Sequence, residues 1–474
     1  MRDSFSLRAP CTVRRTALAL ALLTLAGCSF IPAYERPAAP VPPQWPAQAA
    51  AAPEAGQPPG AALPWQDFVQ DERLRALVAQ ALEHNRDLRM AALALEQARA
   101  QYQIRGADRA PTVNLGATGS RQTTSGDSIG SAYTAGLMVA SWEIDFFGRL
   151  ASLQEAALAQ YLATAEARRA VQTSLVAAVA NAWLGLQSDE EMLALTRSTL
   201  QSREASLKLV QMRNAHGVAS ALDVRQAESL VAAAQAALAQ QERQRALDLN
   251  ALTLLLGQTP APGLLPAGGT PDAVFAELPV GLPSDLLVHR ADIRQAEQNL
   301  LAANANIGAA RAAFFPRISL TASAGTASKA LSGLFAGGSW GWALAPQALL
   351  PIFDAGRNQA ALESAQAGRA MAVAQYEKAI QTAFREVADA LAGRATLGEQ
   401  VRAQQAQAVA EAERLRLADL RYSTGVASYL DVLDAQRSLF AAQQALAQVR
   451  MAQRQNQVLL YKALGGGWAL PPEQ

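Results

Sequence analysis

The stretch Arg213-Asn-Ala-His-Gly217-Val-Ala-Ser220-Ala-Leu-Asp223-Val occurs again, with few changes, as Arg421-Tyr-Ser-Thr-Gly425-Val-Ala-Ser428-Tyr-Leu-Asp431-Val. In each copy a glycine is placed to end one helix, because it adopts the left-handed cap conformation without a Cβ penalty. A serine three residues later is placed to begin the next helix. Ser-x-x-Asp is a capping-box pattern with aspartate in the usual Glu/Gln position. Ser220 with Asp223, and Ser428 with Asp431, therefore predict two tight turns between antiparallel helices. The copies lie about 208 residues apart, near half the chain, which marks an internal duplication.

Outward from each turn run long alanine-rich segments. Residues 149–216 contain no proline and a single glycine, Gly185, and residues 218–256 contain neither. Residues 358–424 are again long and proline-free, and 426–464 return as before. A continuous helix of about 68 residues is on the order of 100 Å long at 1.5 Å per residue, far beyond the roughly 11–12 residues of an average globular helix. Such helices need partners along their length. Small side chains permit close approach, as in Ala232–Ala239, and sustained heptad-like apolar spacing favours left-handed supercoiling.

Ahead of each hairpin the pattern changes. Asp71–Gly106 reads as helix broken near Asn85, and Pro111 stops it. Thr112–Thr124 alternates weakly, and Tyr133–Asp145 reads as a second strand. In the other half, His289-Arg-Ala-Asp292-Ile-Arg294 echoes His84-Asn-Arg-Asp87-Leu-Arg89, and Pro316 echoes Pro111. Gly356-Arg357 echoes Gly148-Arg149, and Leu464-Gly465 matches Leu256-Gly257. Arg317–Thr326 alternates most cleanly, with Ile318, Leu320, Ala322 and Ala324 set against Ser319, Thr321, Ser323 and Gly325. Trp340–Phe353 reads as its partner. Strands of about ten residues are near the length that crosses a bilayer. In lipid a sheet must close on itself, and the smallest common membrane barrel has eight strands. Four strands per chain cannot close one. Either several chains share a barrel, three of them giving twelve strands, or the strands form a small soluble β-layer capping a helical bundle. Periodicity leaves both readings open.

The beginning of the chain is a separate matter. Residues 1–27 read as a lipoprotein signal peptide: Arg2, Arg8, Arg14 and Arg15 precede an apolar run over Thr16–Leu25, too short to span a bilayer. The run ends in Leu25-Ala26-Gly27-Cys28, which resembles the bacterial lipobox and makes Cys28 the expected lipidation site. Residues 28–64, rich in proline and alanine, read as an extended tether. The chain has two cysteines, and Cys11 would leave with the signal, so no internal disulfide is expected. Cleavage removes four arginines and one aspartate, taking the formal charge from +1 to −2 and leaving no basic field for nucleic acid. Only three histidines occur, His84, His216 and His289, too scattered for a metal cluster. Gly465-Gly-Gly467 lacks the lysine of a phosphate loop, and no nucleophile elbow or triad spacing is present. No catalytic residue, metal or cofactor is expected, only the covalent lipid on Cys28.

Taken together, the lipobox at Cys28, the Tyr34-Glu-Arg-Pro37 stretch, the Pro111/Pro316 and Gly148-Arg149/Gly356-Arg357 junctions and the paired Gly-Val-Ala-Ser turns resemble the TolC family. These are the outer-membrane factors of tripartite efflux pumps, and the likeness is to the lipidated OprM/NodT-like branch. It covers essentially the whole mature chain. The resemblance implies a mainly α fold with a transmembrane β-barrel, in which a homotrimer shares twelve strands and long helical hairpins form a periplasmic tunnel. Residues 65–256 and 284–464 would be the two half-repeats, 257–283 an equatorial connector and 465–474 a C-terminal tail. The implied function is a passive conduit that opens at its periplasmic tip when the pump assembles. Implied partners are a periplasmic membrane-fusion (adaptor) protein, an inner-membrane RND-type transporter and outer-membrane lipid.

The resemblance also assigns roles at the turns. Asp431 and Asp434 match family aspartates that ring the tunnel constriction, and their spacing of three puts them on one helix face. Tyr422 matches a position that hydrogen-bonds across the closed tip. An arginine that TolC itself carries near this turn is replaced by Ala427. The first turn has Gln226 where the second has Asp434, so the two are not equivalent. For Asp223 the bland reading is helix capping, for Asp431 capping and gating are compatible, and for Asp434 the bland reading is a solvated surface acid. If carboxylates from three chains converge, their mutual repulsion would disfavour anions at the entrance. Two other classes compete: a periplasmic coiled-coil adaptor lipoprotein without a pore, and an enzyme on a helical scaffold.

Overall fold

The computed structural model describes residues 29–45, 63–124, 128–266, 274–279 and 286–466. Cys28 and the signal lie outside them, as do parts of the connector and tail. The helices are α1 (Trp65–Phe68), α2 (Glu72–His84), α3 (Arg86–Ala107), α4 (Arg149–Ala215), α5 (Ala221–Leu256), α6 (Leu286–His289), α7 (Ala291–Ala312), α8 (Arg357–Ser423) and α9 (Tyr429–Ala463). The strands are β1 (Val113–Thr124), β2 (Ser128–Ile144), β3 (Arg317–Ser328) and β4 (Trp340–Leu349). Helices α4 and α8 each run 67 residues. No helix among the described residues is long and apolar enough to cross a membrane. The chain divides into two compact units.

The first unit, built from residues up to 38, 94–165 and 295–376, carries the sheet. Its strands form one antiparallel sheet in the order β1-β2-β3-β4, so the two sequence-read strand pairs are joined through β2 and β3. β2 begins at Ser128, earlier than alternation suggested, because pairing with β1 continues to Thr124. β4 ends at Leu349 rather than Phe353, and Pro351, which has no N–H to donate, lies just beyond.

Register assigns the faces. Val113 and Leu115 of β1 stand opposite Val139 and Leu137 of β2. These pair on with Ala322 and Ala324 of β3, and those with Leu344 and Trp342 of β4. One face is therefore an apolar row across all four strands. Leu115 is 83% exposed and Trp342 70%, so within one chain much of that row is uncovered. The other face carries small and polar residues such as Asn114, Thr118, Thr134, Ser323 and Gln347. A bulge between Val139 and Trp142, with Ser141 at φ 54°, shifts the alternation by one. It returns Trp142 and Ile144 to the apolar face, opposite Leu320 and Ile318, and keeps Glu143 on the polar one. There Glu143 takes ion pairs from Arg149 (2.8 Å) and Arg317 (2.5 Å). Gly116, Gly136, Gly325 and Gly341 share one register line. A Cβ on Gly136 would sit 2.4 Å from the Ala324 carbonyl oxygen, and one on Gly325 2.3 Å from that of Ala135. The two central strands approach too closely there for any side chain.

The start of the described chain is not a loose tether. Phe30 stacks on Phe315 at 4.6 Å. Asn304 on α7 donates to the Pro32 carbonyl (2.7 Å). Tyr34 Oη and Arg36 Nε both donate to Glu297 Oε1, at 3.0 and 2.8 Å. Two residues apart on extended backbone, they point the same way and meet one carboxylate. Gly308 makes room for this strap, since a Cβ there would meet Ile31 Cγ1 at 2.5 Å. In the second unit Trp45 stacks on Phe384 at 4.9 Å. Over these residues the expected spacer is docked, because its scattered aromatic, Tyr and Arg side chains find partners that a Pro/Ala count does not reveal.

The second unit, residues 39–93, 166–294 and from 377 onward, holds the turns and the helix breaks. Here the duplication is visible in hydrogen bonds. Asn85, between α2 and α3, donates through Nδ2 to the Leu255 carbonyl (2.9 Å), at the end of α5. Arg290, between α6 and α7, donates through Nη1 to the Ala463 carbonyl (2.9 Å), at the end of α9. Gly257 and Gly465 follow those ends with φ 70° and 94°. Different side chains thus satisfy the same orphan carbonyls in the two halves. Connector residue Phe275 stacks on Phe68, which stacks on Tyr461.

Candidate functional site

The two turns have nearly identical backbones. Arg213 O accepts from Val218 N (2.8 Å) and Ala219 N (3.3 Å), and Arg421 O accepts from Val426 N (2.9 Å) and Ala427 N (3.2 Å). Gly217 and Gly425 lie at φ 75° and 79°. The side chains then diverge. In the first turn Ser220 and Asp223 form a complete capping box: Asp223 N donates to Ser220 Oγ (3.1 Å) and Ser220 N to Asp223 Oδ2 (2.9 Å). Asn214 Nδ2 adds a bond to the Ala219 carbonyl (2.8 Å).

The second turn lacks that box. Ser428 sits in the N-cap conformation but its side chain makes no cap hydrogen bond, which corrects the pattern read from Ser428 and Asp431. Packing holds this helix start instead. Tyr429, its first residue, is buried with Val432 and Leu433 against Val210, Ala227 and Leu230 of the first hairpin. Tyr422, where the first turn has Asn214, lies over the same cluster, its ring 5.2 Å from that of Tyr429. The Arg213 guanidinium sits 4.5 Å from the Tyr422 ring centroid. One core and one cation–aromatic contact therefore tie the two turns together.

Asp431 and Asp434 are both exposed. Asp431 enters no ion pair among the described residues. Asp434 is not a free acid: it pairs with Arg414 on α8, which also reaches Glu411 (3.2 Å) and Ser438 Oγ (3.3 Å). Hydrogen bonds to Asp434 and Glu411 raise the Arg414 pKa above its ordinary value. Burial pushes the Asp419 carboxyl and the Tyr429 phenol upward. Arg414 and Arg213 were missed in the sequence. Residues nearly equidistant from Gly425 face each other across a hairpin, and that rule would have brought Arg414 to Asp434. Among the described residues, no group of His, Cys, Asp and Glu is arranged to hold a metal.

A family model described as outer membrane efflux protein matches the chain twice, over residues 77–258 and 282–466, one match per half. The chain belongs to the outer membrane efflux protein family. It is 50% identical over 465 residues to the toluene efflux pump outer membrane protein TtgF of Pseudomonas putida, covering 95% of this chain and 96% of that protein. It is 48% identical over 460 residues to the outer membrane protein OprJ of Pseudomonas aeruginosa, covering 95% of each. Among solved structures, the open state of the Neisseria gonorrhoeae MtrE outer membrane channel is similar, with a TM-score of 0.84 and 42% identity, covering 93% of this chain and 98% of that one. As a member of the efflux protein family, this is an outer-membrane channel protein of efflux, and the relatives it matches are transport proteins.

Proposed function

We propose that three copies of the chain close one twelve-stranded barrel in the outer membrane, and that their helical hairpins continue it as a periplasmic tunnel. The observation that carries this is the sheet: it is open at β1 and β4, and one face carries an apolar row that is exposed at Val113, Leu115, Leu137, Trp342 and Leu344. Open edges are not tolerated in lipid, and strands of 12, 17, 12 and 10 residues are long enough to cross it. A soluble layer capping a bundle would instead bury its apolar face. The same exposed row disfavours a pore-free adaptor.

The conduit is passive, and the paired turns are its periplasmic gate. Tyr422, Asp431 and Asp434 line the constriction, and the tips meet a membrane-fusion adaptor and an inner-membrane RND-type transporter, which supplies the energy. That the relative TtgF is a toluene efflux pump outer membrane protein supports such an assembly. Residues 1–27 are removed, and Cys28 carries lipid that anchors the mature chain. Residues 257–283 belong to an equatorial region.

The deciding experiment extracts the full-length protein in detergent, measures its mass and records current across planar bilayers. A trimer that conducts is expected. A monomer that stays soluble after removal of the lipid and carries no current would overturn the reading. Mass spectrometry of the mature N-terminus tests Cys28 separately.

A further inference from the structure

Between α4, α8 and α9, within the second unit, a cavity of about 240 Å³ opens to the surface. That is below the roughly 300–1,000 Å³ of sites for drug-sized ligands, so an occupant must be small. Arg203 on α4 lines it and is only 6% exposed, and Gln436 on α9 is 8% exposed. Arg203 Nη1 donates to the Leu230 carbonyl (3.0 Å), and its guanidinium lies 5.5 Å from the Phe440 ring centroid. Its Nε is buried and has no acceptor. Arg203 forms no ion pair among the described residues, and the charged neighbour acting on it is a second cation, Arg437. Burial, and then Arg437, hold its pKa below the ordinary value. A guanidinium nevertheless stays charged at any physiological pH.

A buried charge without a counter-ion is costly, and removing the cost takes an anion rather than a water. The cavity wall contains no acidic side chain that could serve. Ser198, Thr199 and Ser202 line it on the α4 side and offer hydroxyl donors. Leu195, Leu439 and Phe440 give it an apolar wall. We propose that this cavity binds a small organic carboxylate bearing an apolar ring or chain, its carboxylate on the accessible edge of the Arg203 guanidinium and the hydroxyls and its apolar part against Phe440. All of its lining residues belong to one chain.

The test titrates detergent-solubilised full-length protein with 4-fluorobenzoate, followed by fluorine NMR. Saturable binding is expected, with 4-fluorobenzamide, of the same shape but uncharged, at least tenfold weaker. Arg203→Met should weaken benzoate binding at least tenfold. Thr199→Glu provides a second route that keeps the buried arginine: a carboxylate four residues earlier on the same helix should occupy Arg203, raise Tm and abolish benzoate binding. Equal binding of the amide, no saturable binding, or unchanged binding in Thr199→Glu with its helicity intact overturns the proposal. Displacement of 4-fluorobenzoate by an equal concentration of sulfate overturns the requirement for an apolar part.

Discussion

The guanidinium of Arg213, on the first turn, lies 4.5 Å from the ring centroid of Tyr422, on the second. The duplicated turns are thus joined through the two positions where their side chains serve different ends. A cation over an aromatic face contributes about 0.5–1 kcal/mol at an exposed site. Tyr422→Phe keeps the ring and should behave as wild type in this contact. Tyr422→Ala and Arg213→Ala should each loosen the tips and increase the open time of single channels, and the double variant should add little. Additive effects in a double-mutant cycle would refute the coupling.

The two aspartates of the second turn should not be equivalent. Asp434 is neutralised by Arg414, whereas Asp431 has no ion-pair partner among the described residues. Asp431→Asn is expected to shift the reversal potential toward anions more than Asp434→Asn does. Arg414→Gln should enhance cation preference by releasing the second carboxylate, and the enhancement should fade at high salt. Equal shifts for both aspartates in planar bilayers would contradict the pairing.

The glycine line across the sheet divides into tolerant and intolerant positions. Gly136→Ala or Gly325→Ala drives a Cβ to 2.4 or 2.3 Å from backbone oxygen, and the central strand pair must part. Trimer yield should fall at least tenfold. Gly341→Ala meets nothing within 4 Å and should assemble normally, which a gel-shift comparison of the three variants would read directly.

Buried Asp189, on α4, has its pKa raised to about 7 by burial first, then by its hydrogen bond with Asp248 and the charges of Asp248 and Glu190, against a smaller opposing effect of Arg245. Its folded pKa exceeds its unfolded value of about 3.9. The neutral form therefore favours the fold. That contribution is complete below about pH 4 and is lost as pH rises through 7. Asp189→Asn should flatten the fall in Tm between pH 4 and 8 and be the more stable protein at pH 8. A Tm profile parallel to wild type would exclude Asp189 as the cause.

Glu297 is the acceptor for both Tyr34 and Arg36. Glu297→Ala should free the strap and expose the chain near Arg36 to trypsin, at a cost of about 1–3 kcal/mol for the lost charged hydrogen bonds. Gly308→Val should do the same by crowding Ile31. Retained resistance to trypsin in both variants would argue against docking.

The long helices were legible because proline is absent and glycine rare over whole segments, and the turns because Gly-Val-Ala-Ser occurs twice. The strands were legible where alternation is clean, as over β3, and blurred over β2, where the bulge at Ser141 changes phase midway. The docked strap was hidden. Its partners, Glu297, Asn304 and Gly308, lie more than 250 residues away and follow no period. At the turns, the capping motif was read equally in both copies, yet Tyr429 in place of Ala221 lets packing supersede the hydroxyl in the second. Short-range patterns are visible in sequence, while contacts set by how one hairpin leans on the other are not.

Phe30 is stacked on Phe315, two residues before β3 begins. Only one residue separates Phe30 from Cys28, a span of at most about 7 Å. An acyl group on Cys28 would have almost no leash and would meet the bilayer at the foot of the β-wall. Lipid and strands would then mark one waterline, so that lengthening the chain by a few residues after Cys28 should leave the modification intact while unpinning the depth at which the molecule floats.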